Sequence, residues 1–385
     1  MRAFVLSDPA LASQAGRFVW LELNTDFTSN GSALEKYEAD ALPTYFVVDP
    51  GSETVVLRWV GSFTVAQAET FLQEARDRMA GATPPATPAG AALARADHLY
   101  GTRDYEDAAV AYREALAQAP AGWPRYDRTV EALLYSYQST GAFPEAIALA
   151  RQALPRVGST PSAIVVSVGG LDSALELPKE APGRAAVIAE MEAAVRTALA
   201  DPAVRVAADD RSGAYLSLMQ ARKEAGDAAG ARKVAAELAG FLEGEAAKAK
   251  TPDERAVFDS HRMTAYLELG AGAKAVAMLQ ASARDLPGDY NPQNRLAHTY
   301  AAMQQWDEAL AASRKAASLA TGRAKLRVLS GRASILREKG DTLAAVAAYD
   351  EAIAYAESLP EAERPARQIE QLRKLRDKAA AEAKP

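Results

Sequence analysis

Six alanines, Ala108, Ala146, Ala231, Ala275, Ala309 and Ala345, occupy one recurring place in this sequence, each about five residues past a turn. Asp104-Tyr105-Glu106-Asp107-Ala108 is followed by Tyr112, Ala115, Leu116 and Pro120. Gly141-Ala142-Phe143-Pro144-Glu145-Ala146 leads to Ala150, Ala153 and Leu154, and Gln305-Trp306-Asp307-Glu308-Ala309 leads to Ala316. Shorter echoes start at Gly226-Asp227, at Gly270 (with Pro287 beyond it) and at Gly340-Asp341, which runs on to Tyr349 and Ala352. The spacings of the six alanines are 38, 85, 44, 34 and 36 residues. A unit of that length is a single supersecondary element that cannot bury its apolar face alone, so it must stack on neighbours.

The chain is thereby constrained to a row of helical hairpins. A turn residue breaks each pair, alanine lets its two helices approach, and aromatic side chains (Tyr105, Tyr112, Phe143, Trp306 and Tyr349) fill the space between hairpins. The interval of 85 has room for one further, degenerate pair at residues 161–200. Residues 368–383 form a polar helix with Ile369, Leu372 and Leu375 on one side, which suits the cap that an open-ended stack requires. Its basic residues, interleaved with Glu370 and Asp377, read as a solvated face.

The first 80 residues differ. Residues 18–23 (FVWLEL) and 44–48 (TYFVV) are aromatic and β-branched and predict strands, the second continuous enough to be buried on both faces. Asp49-Pro50-Gly51 turns the chain into a third strand at 54–60, antiparallel to the second. Ser32 with Glu35, and Thr64 with Gln67, carry the spacing of helix capping boxes. The second helix would place Val65, Ala68, Leu72, Ala75 and Met79 on one face. A proline-rich stretch follows, so the expected organisation is an α/β domain at 1–80, a linker at 81–90, a helical array at 91–360 and a capping helix at 361–385.

Composition narrows the chemistry. The hydrophobic fraction of 49% and charged fraction of 24% describe a core-forming chain rather than a disordered one. A net charge of −6 offers no global field for a phosphate backbone, which argues against nucleic acid as partner. No apolar run reaches the ~18 residues of a membrane span, which argues against a membrane as partner. The chain has no cysteine, which removes disulfides, thiolate nucleophiles and cysteine-bound zinc. Of the three histidines (His98, His261, His298), His261 and His298 could line one groove, but two histidines without a clear third ligand fall short of the three or four protein ligands of a zinc site, and no metal or cofactor is expected. Gly169-Gly170 lies in no phosphate-loop pattern and reads as a place of close helix packing. No catalytic residue is assigned. The first residues lack a basic segment followed by an apolar one, so the sequence as it stands reads as cytoplasmic.

The turn-and-alanine pattern resembles the tetratricopeptide repeat family, most closely at 104–120, 141–154 and 291–317. That resemblance implies a mostly α fold, an α-solenoid, that binds a peptide or protein partner in a groove lined by the first helix of each pair. Matching the family's groove positions gives His261 and Thr264, then Asn291, Arg295 and His298, then Arg327 and Ser334, with Arg128, Tyr135 and Gln220 earlier in the chain. The family's basic clamp for a terminal carboxylate is not reproduced, since Ala302 and Glu338 stand where lysine or arginine would be wanted.

Residues 1–80 resemble the C-terminal part of a thioredoxin fold. Ala41-Leu42-Pro43-Thr44 is similar to that family's cis-proline loop, and Gly61 precedes the last helix. The Cys-x-x-Cys pair and the central strand are missing, so the resemblance implies an incomplete, redox-inactive domain. The expected function is an interaction scaffold without enzymatic activity. The alternative is the substrate-recruiting part of a thiol-disulfide oxidoreductase or chaperone whose cysteines lie upstream of Met1, which would move the expected compartment to the periplasm or outside the cell. A third reading is a structural protein that self-associates through its repeats.

Overall fold

The computed structural model describes residues 5–6, 8–24, 30–37, 43–60, 63–81, 87–361 and 364–382. They fall into two compact units, one of Met1–Phe18 with Asp40–Val234 and one of Val19–Ala39 with Ala235–Pro385. After a short 3-10 helix, Pro9–Gln14, come α1 (Gly31–Tyr37), β1 (Thr44–Val48), β2 (Val55–Val60) and α2 (Val65–Met79). Of these α1 belongs to the second unit, and the first also holds α3 (Pro88–Gly101), α4 (Tyr105–Ala117), α5 (Tyr126–Thr140), α6 (Phe143–Val157), α7 (Ser162–Glu176), α8 (Arg184–Ala200) and α9 (Ala208–Glu224). Then α10 (Ala228–Lys248) spans the division, and α11 (Pro252–Ala256), α12 (Asp259–Glu268), α13 (Gly272–Asp285) and α14 (Tyr290–Ala302) follow. The chain closes with α15 (Trp306–Leu319), α16 (Gly322–Glu338), α17 (Thr342–Ser358) and α18 (Ala366–Glu382).

Each hairpin is built the same way. In α3–α4, α5–α6, α7–α8, α12–α13, α14–α15 and α16–α17 the two helices are joined by a few residues, too few to carry the chain back, so they run antiparallel and pack on one another. All six repeat alanines are 0% exposed, as positions of closest helix approach must be. Five residues before each stands a residue with left-handed backbone: Arg103, Gly141, Gly226, Gly270, Gln304 and Gly340. The 85-residue interval resolves on the same rule. Gly183, also left-handed, falls between Gly141 and Gly226, and five residues on the place of alanine is taken by buried Ile188. Gln304 keeps this conformation (φ +59°) with a Cβ that glycine would not have. Gln304→Gly is therefore expected to stabilise the chain by about 0.5–1 kcal/mol, read as a higher urea midpoint.

Within the first unit α3, α5, α7 and α9 are the first helices of successive hairpins, and each packs on the next. In the second unit α12, α14 and α16 do the same, and α18 closes the end against α17 with Ile369 and Leu372 buried. Such contact of first helix with first helix, besides contact within each hairpin, is what stacked hairpins require. Tyr112 and Tyr349 are fully buried between helices, while Tyr105, Phe143 and Trp306 are half-buried or bordering.

The N-terminal part is an antiparallel hairpin with a helix across it. Tyr45 pairs with Trp59, Phe46 with Arg58 and Val47 with Leu57. Asp49 sets the turn, its Oδ1 accepting from the Gly51 amide at 2.8 Å. Thr64 and Gln67 complete the expected capping box of α2. Leu57, Trp59, Phe63, Phe71, Leu72 and Ala75 make the core, and β2 packs on α3.

Several expectations fail here. Residues 18–23 form no strand; they run as coil, with Val19 89% and Leu21 79% exposed. Intrinsic β preference does not make a strand without a ladder to join, and the sheet of the described residues has two strands. For the same reason β1 is not buried on both faces: Val47 is buried and its neighbours half-buried. Ser32 lies inside α1, which begins at Gly31, and Met79 is exposed while Phe71 takes its place in the core. Of the expected linker, residues 82–86 lie outside the described residues, while Thr87 caps α3 and Pro88 serves as its first residue, where a missing N–H costs nothing. Leu42 and Gly61 lie outside the described residues; Pro43 sits in a bend before β1, which Thr44 opens.

Candidate peptide-binding faces

In the second unit the candidate residues fall on the row of first helices. Asn291, Arg295 and His298 lie four and three residues apart, which puts them on one stripe of α14. Arg327, Gly331 and Ser334 make the matching stripe of α16, and His261 with Thr264 that of α12. The stripes meet. A Cβ built on Gly331 would stand 3.4 Å from His298 Cε1, so the imidazole lies over the bare backbone of α16. Arg327 donates from Nη2 to the Tyr290 hydroxyl at 2.7 Å, again joining α16 to α14.

Not every candidate presents its polar group to the row. Asn291 turns its Nδ2 back to Asp289 Oδ1 at 2.8 Å, and Thr264 Oγ1 donates to the carbonyl of Ser260 at 3.1 Å. Ser334 Oγ lies 3.3 Å from the carbonyl of Ser330 and 3.5 Å from the Tyr349 hydroxyl. His298 is open to solvent at its edge but crowded by neighbouring helices. That crowding holds its pKa below the usual value, with Glu338 pulling the other way. Arg295 belongs to a group with Arg255 and Arg262 around buried Asp259. Burial nonetheless raises the Asp259 carboxyl above its ordinary pKa, outweighing Ser282 and the three arginines.

The charges of the second unit are sorted by row. Its first helices α12, α14 and α16 carry seven arginines and lysines against three carboxylates. Its second helices α13, α15 and α17 carry four against six. A chain that is net acidic thus carries an excess of basic residues on the helices of this row, although Arg332 and Arg337 are paired with Glu351 and Glu382.

The first unit is the reverse: α3, α5, α7 and α9 hold eight carboxylates against five basic residues. Arg128 is largely enclosed and donates to Asp97 Oδ1 at 2.9 Å, while Tyr135 stands edge-on to Tyr100 and Tyr105 with centroids 5.9 and 5.6 Å away. Gln220 is exposed and reaches Glu224 at 3.3 Å. Several residues with no sequence signal join them. Asp97 also accepts from the Tyr112 hydroxyl at 3.0 Å and from Arg78 of α2 at 2.7 Å. Asp97 does stand out on its helix as the one carboxylate on a face of Ala89, Ala92, Leu93, Ala96 and Tyr100.

Glu131, on α5, is enclosed and accepts from Ser162 Oγ at 2.5 Å. Burial pushes its carboxyl up to about 7, opposed by the Ser162 bond and assisted by Asp127. The folded chain therefore retains this proton between the ordinary glutamate value of 4.5 and about 7, where an unfolded chain has released it. The resulting stability is complete below the lower value and is lost as pH rises through the upper. Glu131→Gln is expected to flatten this dependence and to stabilise the chain by about 1–3 kcal/mol at pH 8, measured by urea unfolding at pH 5 and pH 8.

No family profile matches the sequence, and no curated relative does. Among the solved structures similar to it, five share 13–16% sequence identity. A tetratricopeptide repeat protein from Parabacteroides merdae is 14% identical over 75% of this chain and 99% of its own, with a TM-score of 0.48. The assembly chaperone of RpL4 is 15% identical over 75% and 98%, with a TM-score of 0.36. The TPR2AB domain of yeast Sti1, in a complex with pHSP90, is 16% identical over 75% and 98%, with a TM-score of 0.28.

Proposed function

We propose that this chain is a protein-interaction scaffold of the tetratricopeptide type. It holds an extended acidic segment of a partner along the first-helix row of the second unit. The observation that carries this is the sorting of charge: stripes on α14 and α16 that touch through His298 and Arg327 lie on a basic row of a net acidic chain. The helices are folded before a partner arrives, so an extended peptide loses entropy on its own side alone. The N-terminal hairpin and helix are proposed as a thioredoxin-related module without redox function, since the chain has no thiol with which to exchange disulfides. Its role here is adhesive.

The test uses the full chain and an array of peptides of about ten residues graded from acidic to basic. Acidic members are expected to bind, more weakly as salt is raised. The variant Arg295→Ala/His298→Ala/Arg327→Ala is expected to lose about ten-fold or more in affinity. Undiminished binding by that variant, or preference for basic members, would overturn the proposal.

A further inference from the structure

We propose that the N-terminal hairpin and helix form a detachable cover seated on the first-helix row of the first unit, so that this row is a masked second binding face. The inference rests on the reading of first-helix rows as binding faces.

The module meets the array at first helices and at the entry to one. Arg78, on α2, reaches Asp97 of α3 at 2.7 Å. Glu74, one turn earlier, forms an ion pair with Arg125, the residue before α5, at 3.3 Å. Arg58, on β2, lies with its guanidinium 5.5 Å from the Phe46 ring centroid and 6.0 Å from that of Tyr100, at the end of α3. Arg78 also donates to the Val56 carbonyl at 3.4 Å, tying α2 and β2 into one body at the seat. Asp209 and Asp210, at the start of α9, add to burial in raising the Tyr45 hydroxyl above its usual pKa.

The seat is chemically matched to what lies on it. The row is acidic and lined with tyrosines, Tyr100, Tyr105 and Tyr135 standing edge to face. The module offers it arginine at Arg58 and Arg78, Arg58 lying beside the Phe46 ring. A competing partner would need the same chemistry: an extended segment presenting arginine and aromatic side chains. Two ion pairs and an arginine beside a ring join the module, which has a core of its own, to the array, and contacts of this kind open locally at less cost than a shared core.

The test removes the module's charges at the seat. Glu74→Gln/Arg78→Gln leaves Asp97 paired with Arg128 and touches no residue of the row. Nitration of tyrosines by tetranitromethane, read residue by residue by mass spectrometry, reports the row; amide exchange at Val47 and Leu57 reports the module's own ladder. Tyr266 and Tyr349, both buried, report the second unit. In the variant, Tyr100 is expected to react about ten-fold faster while the ladder amides stay protected and Tyr349 stays inert. A synthetic peptide of alternating arginine and tyrosine should bind the variant and not the unaltered chain. Unchanged Tyr100 reactivity overturns the inference. So does loss of the ladder together with Tyr100 protection, which would make the module part of the core. Failure of the variant to gain the basic peptide also overturns it. If Tyr349 becomes reactive, the variant has unfolded, and Arg78→Lys is judged by the same criteria. Loss of acidic-peptide binding at the second unit would leave all of these readings intact and sink only the function proposed above.

Discussion

Asp97→Ala is expected to cost the first unit about 3–5 kcal/mol, because it removes the single carboxylate that two arginines share in a buried place. Asp97 and Arg128 are largely enclosed, Arg78 somewhat less so, and the Tyr112 hydroxyl completes the set. Burial together with Asp97 raises the Tyr112 hydroxyl well above its ordinary pKa, and Asp97 holds the Arg128 guanidinium firmly charged. With alanine at 97, Arg128 keeps its charge and loses its nearest counter-charge, while the Tyr112 hydroxyl loses its acceptor. Tyr112→Phe removes one neutral donor and should cost about 1 kcal/mol. Asp97→Ala/Arg128→Met, which removes the orphaned charge and keeps apolar volume, should recover most of the loss. Native-state amide exchange over α3, α4 and α5 measures these values without assuming that the two units unfold together. A cost under about 1 kcal/mol for Asp97→Ala would mean that water compensates the arginines and that the pair is energetically a surface one.

The hairpin stack was legible from one sort of residue, and the reason is steric. Where two helices cross at closest approach only a very small side chain fits, so Ala108, Ala146, Ala231, Ala275, Ala309 and Ala345 had to recur, each a fixed distance from a left-handed turn residue. The degenerate pair was less legible because Ile188 replaces alanine there, and periodicity in alanine cannot show an isoleucine. Residues 18–23 misled because strand preference is local while a ladder is not. At the candidate faces, helical spacing was enough to put Arg295 and His298 on one stripe. It could not show that Arg128 is taken up by Asp97, thirty-one residues away, or that Glu74 and Arg78 of the N-terminal module meet the array. Ion pairs across elements leave no periodic trace, so the sequence suggested a tethered module where the structure has a seated one.

Gly170→Leu is the counterpart test of helix packing, with an expected cost of about 3 kcal/mol. In the pair α7–α8 the roles of large and small residue are exchanged relative to the other hairpins: α8 has Ile188 in the place of alanine, and α7 is bare where Met191 presses on it. A Cβ on Gly170 would meet Met191 Sδ at 2.7 Å and Ala150 Cβ at 2.9 Å. Met191 can swing aside, but Ala150 Cβ is fixed to the backbone of α6, so the helices themselves would have to separate. Even Gly170→Ala should lose more by this contact than the ~1 kcal/mol that alanine gains in helix propensity. Gly213, in α9, supplies the control. Nothing stands within 4 Å of a Cβ built there, so Gly213→Ala should show the propensity gain alone and stabilise by about 0.5–1 kcal/mol. The two substitutions are chemically identical and both helical, so opposite signs in urea unfolding isolate packing from propensity. Equal signs would show that α7 and α6 separate at no measurable cost, and that close approach of helices does not explain the small residues of this chain. Met191→Ala should then rescue Gly170→Leu only in part, since the clash with Ala150 remains.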